Sequence, residues 1–149
     1  MTEKKDVKGG SYLAVVRIRG DVNTEKKVRN TLSILRLNRV NHCIILPKKP
    51  EFEGMLKKAQ RSITWGEVSS DMLEKIVYKR GRFAGDKRVD KKDVKSIAKK
   101  MLDNQSVDIK PVFRMSPPSK GFKGTRLPYP KGDLGYRGEK INELLKRMI

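Results

Sequence analysis

Residues 12–19, Tyr-Leu-Ala-Val-Val-Arg-Ile-Arg, constrain this chain most, because they combine a strand-forming composition with arginines at alternate positions. At a period of two, Ala14, Val16 and Ile18 share one face and Val15, Arg17 and Arg19 the other. One face suits a core. Burying unpaired guanidinium groups under an apolar layer is very costly, so the arginine face is expected to stay open and basic in the middle of a sheet.

The elements that follow suit a small sheet. A turn at Gly20-Asp21-Val22-Asn23 leads to Thr24, which can cap a helix to about Leu37 with Val28, Leu32 and Leu35 as its apolar stripe. Lys26, Lys27, Arg29 and Arg36 lie off that stripe. Residues 40–47 form an apolar strand run stopped by Pro47, residues 51–60 a second helix, and residues 63–68 a third strand carrying the only tryptophan, Trp65. This order predicts a two-layer α+β core over residues 12–68, with both helices on one face.

The second half, residues 69–149, reads as a mainly helical extension. Asp71 and Glu74 have capping-box spacing before a helix to about Arg80, and Asp90 opens a second helix with Val94, Ile97, Ala98, Met101 and Leu102 on one side. Residues 107–115 alternate like a strand, demoted to an edge by Pro111, and residues 139–149 carry a last apolar stripe of Ile141, Leu144, Leu145 and Met148. These stripes need a surface, so the helices are expected to pack onto or beside the first unit.

Between them, residues 116–138 hold five Gly and four Pro with no usable period. Such a length of irregular chain is usually functional or disordered. Phe122, Tyr129 and Tyr136 are interleaved with Lys120, Lys123, Arg126, Lys131 and Arg137, a combination suited to phosphate contact and stacking. The segment is expected to be mobile until RNA orders it. Residues 1–11 are expected to be a flexible tail.

Charge narrows the partner. Lys and Arg number 36 against 17 Asp and Glu, a net +19, and self-repulsion of this size points first to nucleic acid. No apolar run approaches the roughly 20 residues that span a bilayer, and the start, Met-Thr-Glu-Lys-Lys-Asp, lacks a signal-peptide core. One cysteine excludes a disulfide framework and suggests a reducing cytoplasmic setting. His42 and Cys43 are adjacent on a predicted strand and point to opposite faces, so they cannot form a base and nucleophile. Cys43 is expected in the core. Neither a Walker nor a dinucleotide loop is present, and no enzyme activity, metal, cofactor, membrane or small-molecule substrate is expected.

Leu13-Ala14-Val15-Val16-Arg17-Ile18-Arg19-Gly20, Val40-Asn41-His42-Cys43, Gly54-Met55-Leu56, Trp65-Gly66-Glu67, Pro117-Pro118-Ser119-Lys120-Gly121-Phe122 and Gly132-Asp133-Leu134-Gly135-Tyr136 together resemble the archaeal form of large-subunit ribosomal protein thirty, whose eukaryotic relative is numbered seven. The resemblance covers nearly the whole chain. It implies a βαβαβ, ferredoxin-like core with an antiparallel three-stranded sheet in order 3-1-2. It also implies a non-enzymatic constituent of the cytoplasmic large ribosomal subunit that binds ribosomal RNA, near the 5S RNA and beside neighbouring ribosomal proteins, and supports assembly and translation. Bacterial members resemble only the part ending near Val68. Eleven residues precede the first strand, so contacts made by the long basic arm of eukaryotic relatives are not expected. The competing readings are a basic RNA-processing factor and a DNA-binding chromosomal protein. Charge and placement select Arg17, Arg19, Lys26, Lys27, Arg29, Asn41, His42, Lys48, Lys49, Arg114, Lys120, Phe122, Lys123, Arg126, Tyr129, Lys131, Tyr136 and Arg137 as RNA-contact candidates.

Overall fold

The computed structural model describes residues 12–103 and 105–149, and the tail expected over residues 1–11 lies outside them. The first half forms β1 (Tyr12–Arg17), α1 (Lys26–Ile34), β2 (His42–Pro47), α2 (Pro50–Lys58) and β3 (Ile63–Glu67). β1 pairs antiparallel with β2 on one side and β3 on the other. The implied order 3-1-2 is therefore the middle of the sheet, but it is not the whole of it. β4 (Val112–Arg114) adds antiparallel to β2 and β5 (Gly135–Tyr136) adds parallel to β3, giving a mixed five-stranded sheet in the order β4-β2-β1-β3-β5. Pro111 cannot donate to a ladder, and the expected strand over residues 107–115 is correspondingly short.

Both faces of the sheet are covered. Leu13, Val15 and Trp65 pack with Leu32, Leu35, Leu56 and Ala59 from α1, α2 and the residues that follow each. Ala14, Val16, Cys43 and Phe113 pack on the other side against α3 (Ser70–Arg80), α4 (Lys91–Leu102) and α5 (Ile141–Met148). The open face is thus a correction. All six residues of β1 are buried, and the apolar stripes of the second half find their surface on the sheet itself. Burying Leu73, Ile76, Leu144 and Leu145 fully is worth about 1.5–3 kcal/mol each, which an extension left beside the core would forfeit.

Local signals set the helix ends. Ser69, rather than the expected Asp71, caps α3 by accepting from the Met72 amide at 3.3 Å. A 3-10 turn over Gly138–Lys140 leads into α5. It lies so close to β3 that a Cβ on Gly66 would sit 2.0 Å from the Gly138 carbonyl oxygen. Cys43 is fully buried, and burial pushes its thiol up to about 12, which suits an inert core residue.

Candidate nucleic-acid interface

β1 ends at Arg17, and the cationic loops gather at that end of the sheet. The Asn41 amide donates to the Arg17 carbonyl at 2.8 Å, and the Met115 amide to the Asn41 carbonyl at 3.1 Å, so the chains entering β2 and leaving β4 meet there. The irregular segment departs from that point. It passes the end of α5, where the Ser116 amide donates to Met148 O and the Ser119 amide to Arg147 O, and rejoins the sheet beside Thr64, the partner of Val16.

Arg17 does not face outward. It is 2% exposed, and its guanidinium donates to the carbonyls of Leu37 (2.7 Å) and Arg19 (2.8 Å) and to the Asp21 carboxylate. The unpaired charge that would have forbidden a covered face is paired, which is why α1 and α2 can close over it. Arg19, two residues on, is exposed.

His42 lies directly opposite Arg114 of β4. Burial, followed by the charges of Arg114, Arg39 and Arg17, holds its imidazole below the ordinary 6.5, so it is neutral at pH 7 and contributes no cation. The folded state therefore binds fewer protons here than the unfolded state. The associated stability is complete above about pH 6.5 and is lost as pH falls through the lowered folded value. Chemical unfolding of the wild type and His42→Gln between about pH 8 and pH 5 should show the stability gap narrowing toward acid. A gap independent of pH refutes this assignment.

Residues 116–138, expected to lack structure of their own, are built around Asp133, which is 5% exposed. Its carboxylate accepts from the amides of Lys123 and Gly124 (3.3 Å) and from Arg137 Nη2 (2.6 Å). Arg147 Nη1 holds the carbonyls of Ser119 (3.2 Å) and Gly121 (3.1 Å) from outside. A Cβ on Gly132 would stand 2.0 Å from Leu127 O, so only glycine permits that approach. Five charge-assisted bonds, three to this carboxylate and two from Arg147, each worth about 1.5–3 kcal/mol, supply what apolar burial does not.

The sequence-selected residues accordingly divide. Arg137 is buried on Asp133 with its guanidinium 5.1 Å from the Tyr129 ring, and Phe122 is half-buried against the core, so neither presents itself to a ligand. The Tyr136 hydroxyl donates to Glu67 at 2.5 Å, and that bond, with burial, pushes the phenol up to about 12. Lys48 pairs with Glu67 at 3.2 Å and, with Lys49, lies at the opposite end of the sheet. Lys26, Lys27 and Arg29 are exposed along α1, and Asn41 is half-buried beside His42 with a left-handed φ of 67°. Arg19, Arg114, Lys120, Lys123, Arg126 and Lys131 are exposed at or beyond the basic end, with Tyr129 among them. Sequence reasoning passed over Arg39 and Arg61, exposed cations two or three positions before the strands that start at this end. Their position just ahead of β2 and β3 was the available signal.

Three-stranded core, extension and loop can be set against known proteins. The family model described as Ribosomal protein L30p/L7e matches residues 13–62, from β1 to the residue before β3. The chain is 41% identical to large ribosomal subunit protein uL30 of Methanobrevibacter smithii, over 91% of this chain and 98% of that protein. The uL30 proteins of Methanosphaera stadtmanae and Archaeoglobus fulgidus are 40% and 37% identical, again over 91% of this chain and over 99% and 98% of theirs. The similarity thus runs through the helices that cover the sheet as well as through the sheet itself, and the chain belongs to the L30p/L7e family of ribosomal proteins.

Proposed function

We propose that this protein is a structural constituent of the large ribosomal subunit in the cytoplasm, where it binds ribosomal RNA and supports subunit assembly and translation. The observation that carries this is the similarity across 91% of the chain to proteins named for that subunit. Its family is one of ribosomal proteins rather than enzymes. The net charge of +19 and the exposed cations at one end of the sheet supply the chemistry, since phosphates position a protein on RNA and need Lys and Arg at its surface.

In this reading residues 12–68 present the basic sheet end, and residues 69–149 bury its second face and extend it through the loop at 116–138. Arg19, Asn41, Arg114, Lys120, Lys123, Arg126 and Lys131 contact RNA together, with Tyr129 stacking through the part of its ring that Arg137 leaves exposed. Lys26, Lys27 and Arg29 form a flanking contact along α1, and Lys48 and Lys49 a separate one. The 5S RNA and neighbouring ribosomal proteins are proposed as its further partners.

Binding of the intact protein to deproteinised large-subunit RNA tests this. The logarithm of affinity should fall with the logarithm of salt concentration by about 0.7 to 0.9 per phosphate contact. A slope near zero, or native protein sedimenting with the nucleoid rather than the large subunit, overturns the reading.

A further inference from the structure

A second cationic site lies beside the basic end of the sheet and shares only Arg114 with it. α3 ends at Arg80, and Gly81 then turns the chain back so tightly that a Cβ there would stand 2.3 Å from Val77 O. The hairpin that follows is fastened to the chain entering β4. Phe83 bridges Ile109, the Lys110 amide donates to Arg82 O at 2.8 Å, and Phe83 and Lys87 close the turn with a 2.9 Å bond. Between hairpin, helix end and edge strand is a cleft of about 180 Å³ lined by Arg80, Arg82, Asp86, Lys110, Val112 and Arg114.

Four cations meet one carboxylate in this cleft. Lys110 Nζ pairs with Asp86 Oδ1 at 2.5 Å. Arg80 donates to the Ser116 hydroxyl and Arg82 to the Gly81 carbonyl at 3.1 Å, both neutral acceptors. The Arg114 guanidinium has neither hydrogen bond nor ion pair among the described residues, and its backbone pairs with His42 at the basic end of the sheet. Asp86 is the point on which these charges converge. The bond from Lys110 and its charge, then the charges of Arg114 and Arg82, hold the carboxyl below its ordinary value. Its side chain is 62% exposed, on a turn with φ values of 82° at Gly85 and 60° at Asp86, and it can leave the cleft without disturbing the core.

We propose that this cleft binds a backbone phosphate of the RNA, and that Asp86 holds the phosphate's place on Lys110 in the free protein. The inference rests on the ribosomal RNA reading and names a contact within it. A phosphodiester fits better than an acidic side chain, because its oxygens can accept from donors arriving from helix end, hairpin and strand at once, whereas a planar carboxylate engages one fork. When RNA enters, Lys110 exchanges Asp86 for phosphate, and Arg82 and Arg114 gain a charged acceptor. The strand then continues over Arg114 onto the sheet end.

The test uses the full chain and deproteinised large-subunit RNA, comparing Arg82→Gln/Lys110→Gln with Lys57→Gln/Lys58→Gln, which removes the same charge from an exposed stretch of α2. The cleft pair should lose affinity roughly tenfold more than the control pair, about 1.4 kcal/mol. Its salt slope should fall by about 0.7 to 0.9, as for one lost phosphate contact. Asp86→Asn should bind more tightly than wild type, and more tightly than the matched exposed variant Asp103→Asn. This near-isosteric change on a surface turn keeps the test standing if the double variant fails to fold. Equal behaviour of the two pairs, or an Asp86→Asn that binds no better than Asp103→Asn, overturns the cleft proposal while leaving the ribosomal reading intact. Full RNA affinity in the cleft pair combined with poor entry into subunits would assign the cleft to a protein neighbour and likewise overturn it. Failure of the wild type to bind RNA overturns both.

Discussion

Gly66→Ala should destabilise the protein by about 3 kcal/mol or more, at the upper end of what overpacking a core does. The added Cβ would stand 2.0 Å from Gly138 O, 3.0 Å from Gly138 C and 3.0 Å from Ile141 Cβ. Two of those atoms are backbone and the third is fixed to a buried helix residue, so no side-chain rotation relieves the clash. The 3-10 turn over Gly138–Lys140 must move away from β3. With it would move α5, whose Ile141, Leu144, Leu145 and Met148 are all buried. Gly54 supplies the opposite case within the same chain. It is exposed on α2 with nothing within 4 Å of its would-be Cβ, so Gly54→Ala should stabilise by about 0.5–1 kcal/mol through helix propensity alone. Denaturant midpoints of the two variants check both signs. A Gly66→Ala protein within about 0.5 kcal/mol of wild type would mean that β3 and the turn are not in this contact.

Arg17→Ala should lose about 3 kcal/mol of stability and leave RNA affinity per folded molecule unchanged. Truncation strips the buried Leu37 carbonyl of its partner, and an unsatisfied buried acceptor costs about 1–3 kcal/mol. It also removes a buried aliphatic stem and the donor to Arg19 O. The pair with Asp21 adds little, since that carboxylate is 58% exposed and screened by water. Arg19→Ala is expected to do the reverse, with stability within about 0.5 kcal/mol of wild type and weaker RNA binding. Thermal unfolding and RNA titration of both variants decide the matter. If Arg17→Ala keeps its stability and loses RNA, the arginine is facing ligand and the face is open.

The exchange of roles between Arg17 and Arg19 shows where residue patterns stop being informative about the site. Alternation placed Val15, Arg17 and Arg19 on one side of a strand, but the strand ends at Arg17 with Arg19 beyond it, and whether a side of a strand is open depends on what the rest of the chain lays over it. Arg114, Lys120, Lys123, Arg126 and Lys131 were readable as surface cations because none of them is held in an ion pair among the described residues. Arg137 was not, because its partner Asp133 is an ordinary turn residue until the loop folds and buries both. Arg80, Arg82 and Lys110 were passed over for a related reason. They are separated by some thirty residues of chain and become neighbours only when the hairpin after α3 docks beside β4.

By itself the sequence determined β1, β2 and β3, the two helices between them, the three later helical stripes, the core position of Cys43 and the polyanionic class of the partner. Each of these follows from local periodicity, turn chemistry or total charge, which need no knowledge of distant residues. Only the tertiary structure decided that both faces of the sheet are covered, that β4 and β5 extend it to five strands, and that residues 116–138 have a scaffold. The two residues of β5 have no strand signal of their own and are a strand because β3 offers them an edge. A covered face, an added edge strand and a buried Asp–Arg pair are all relations between segments far apart in the chain, and their free energy exists only once those segments meet.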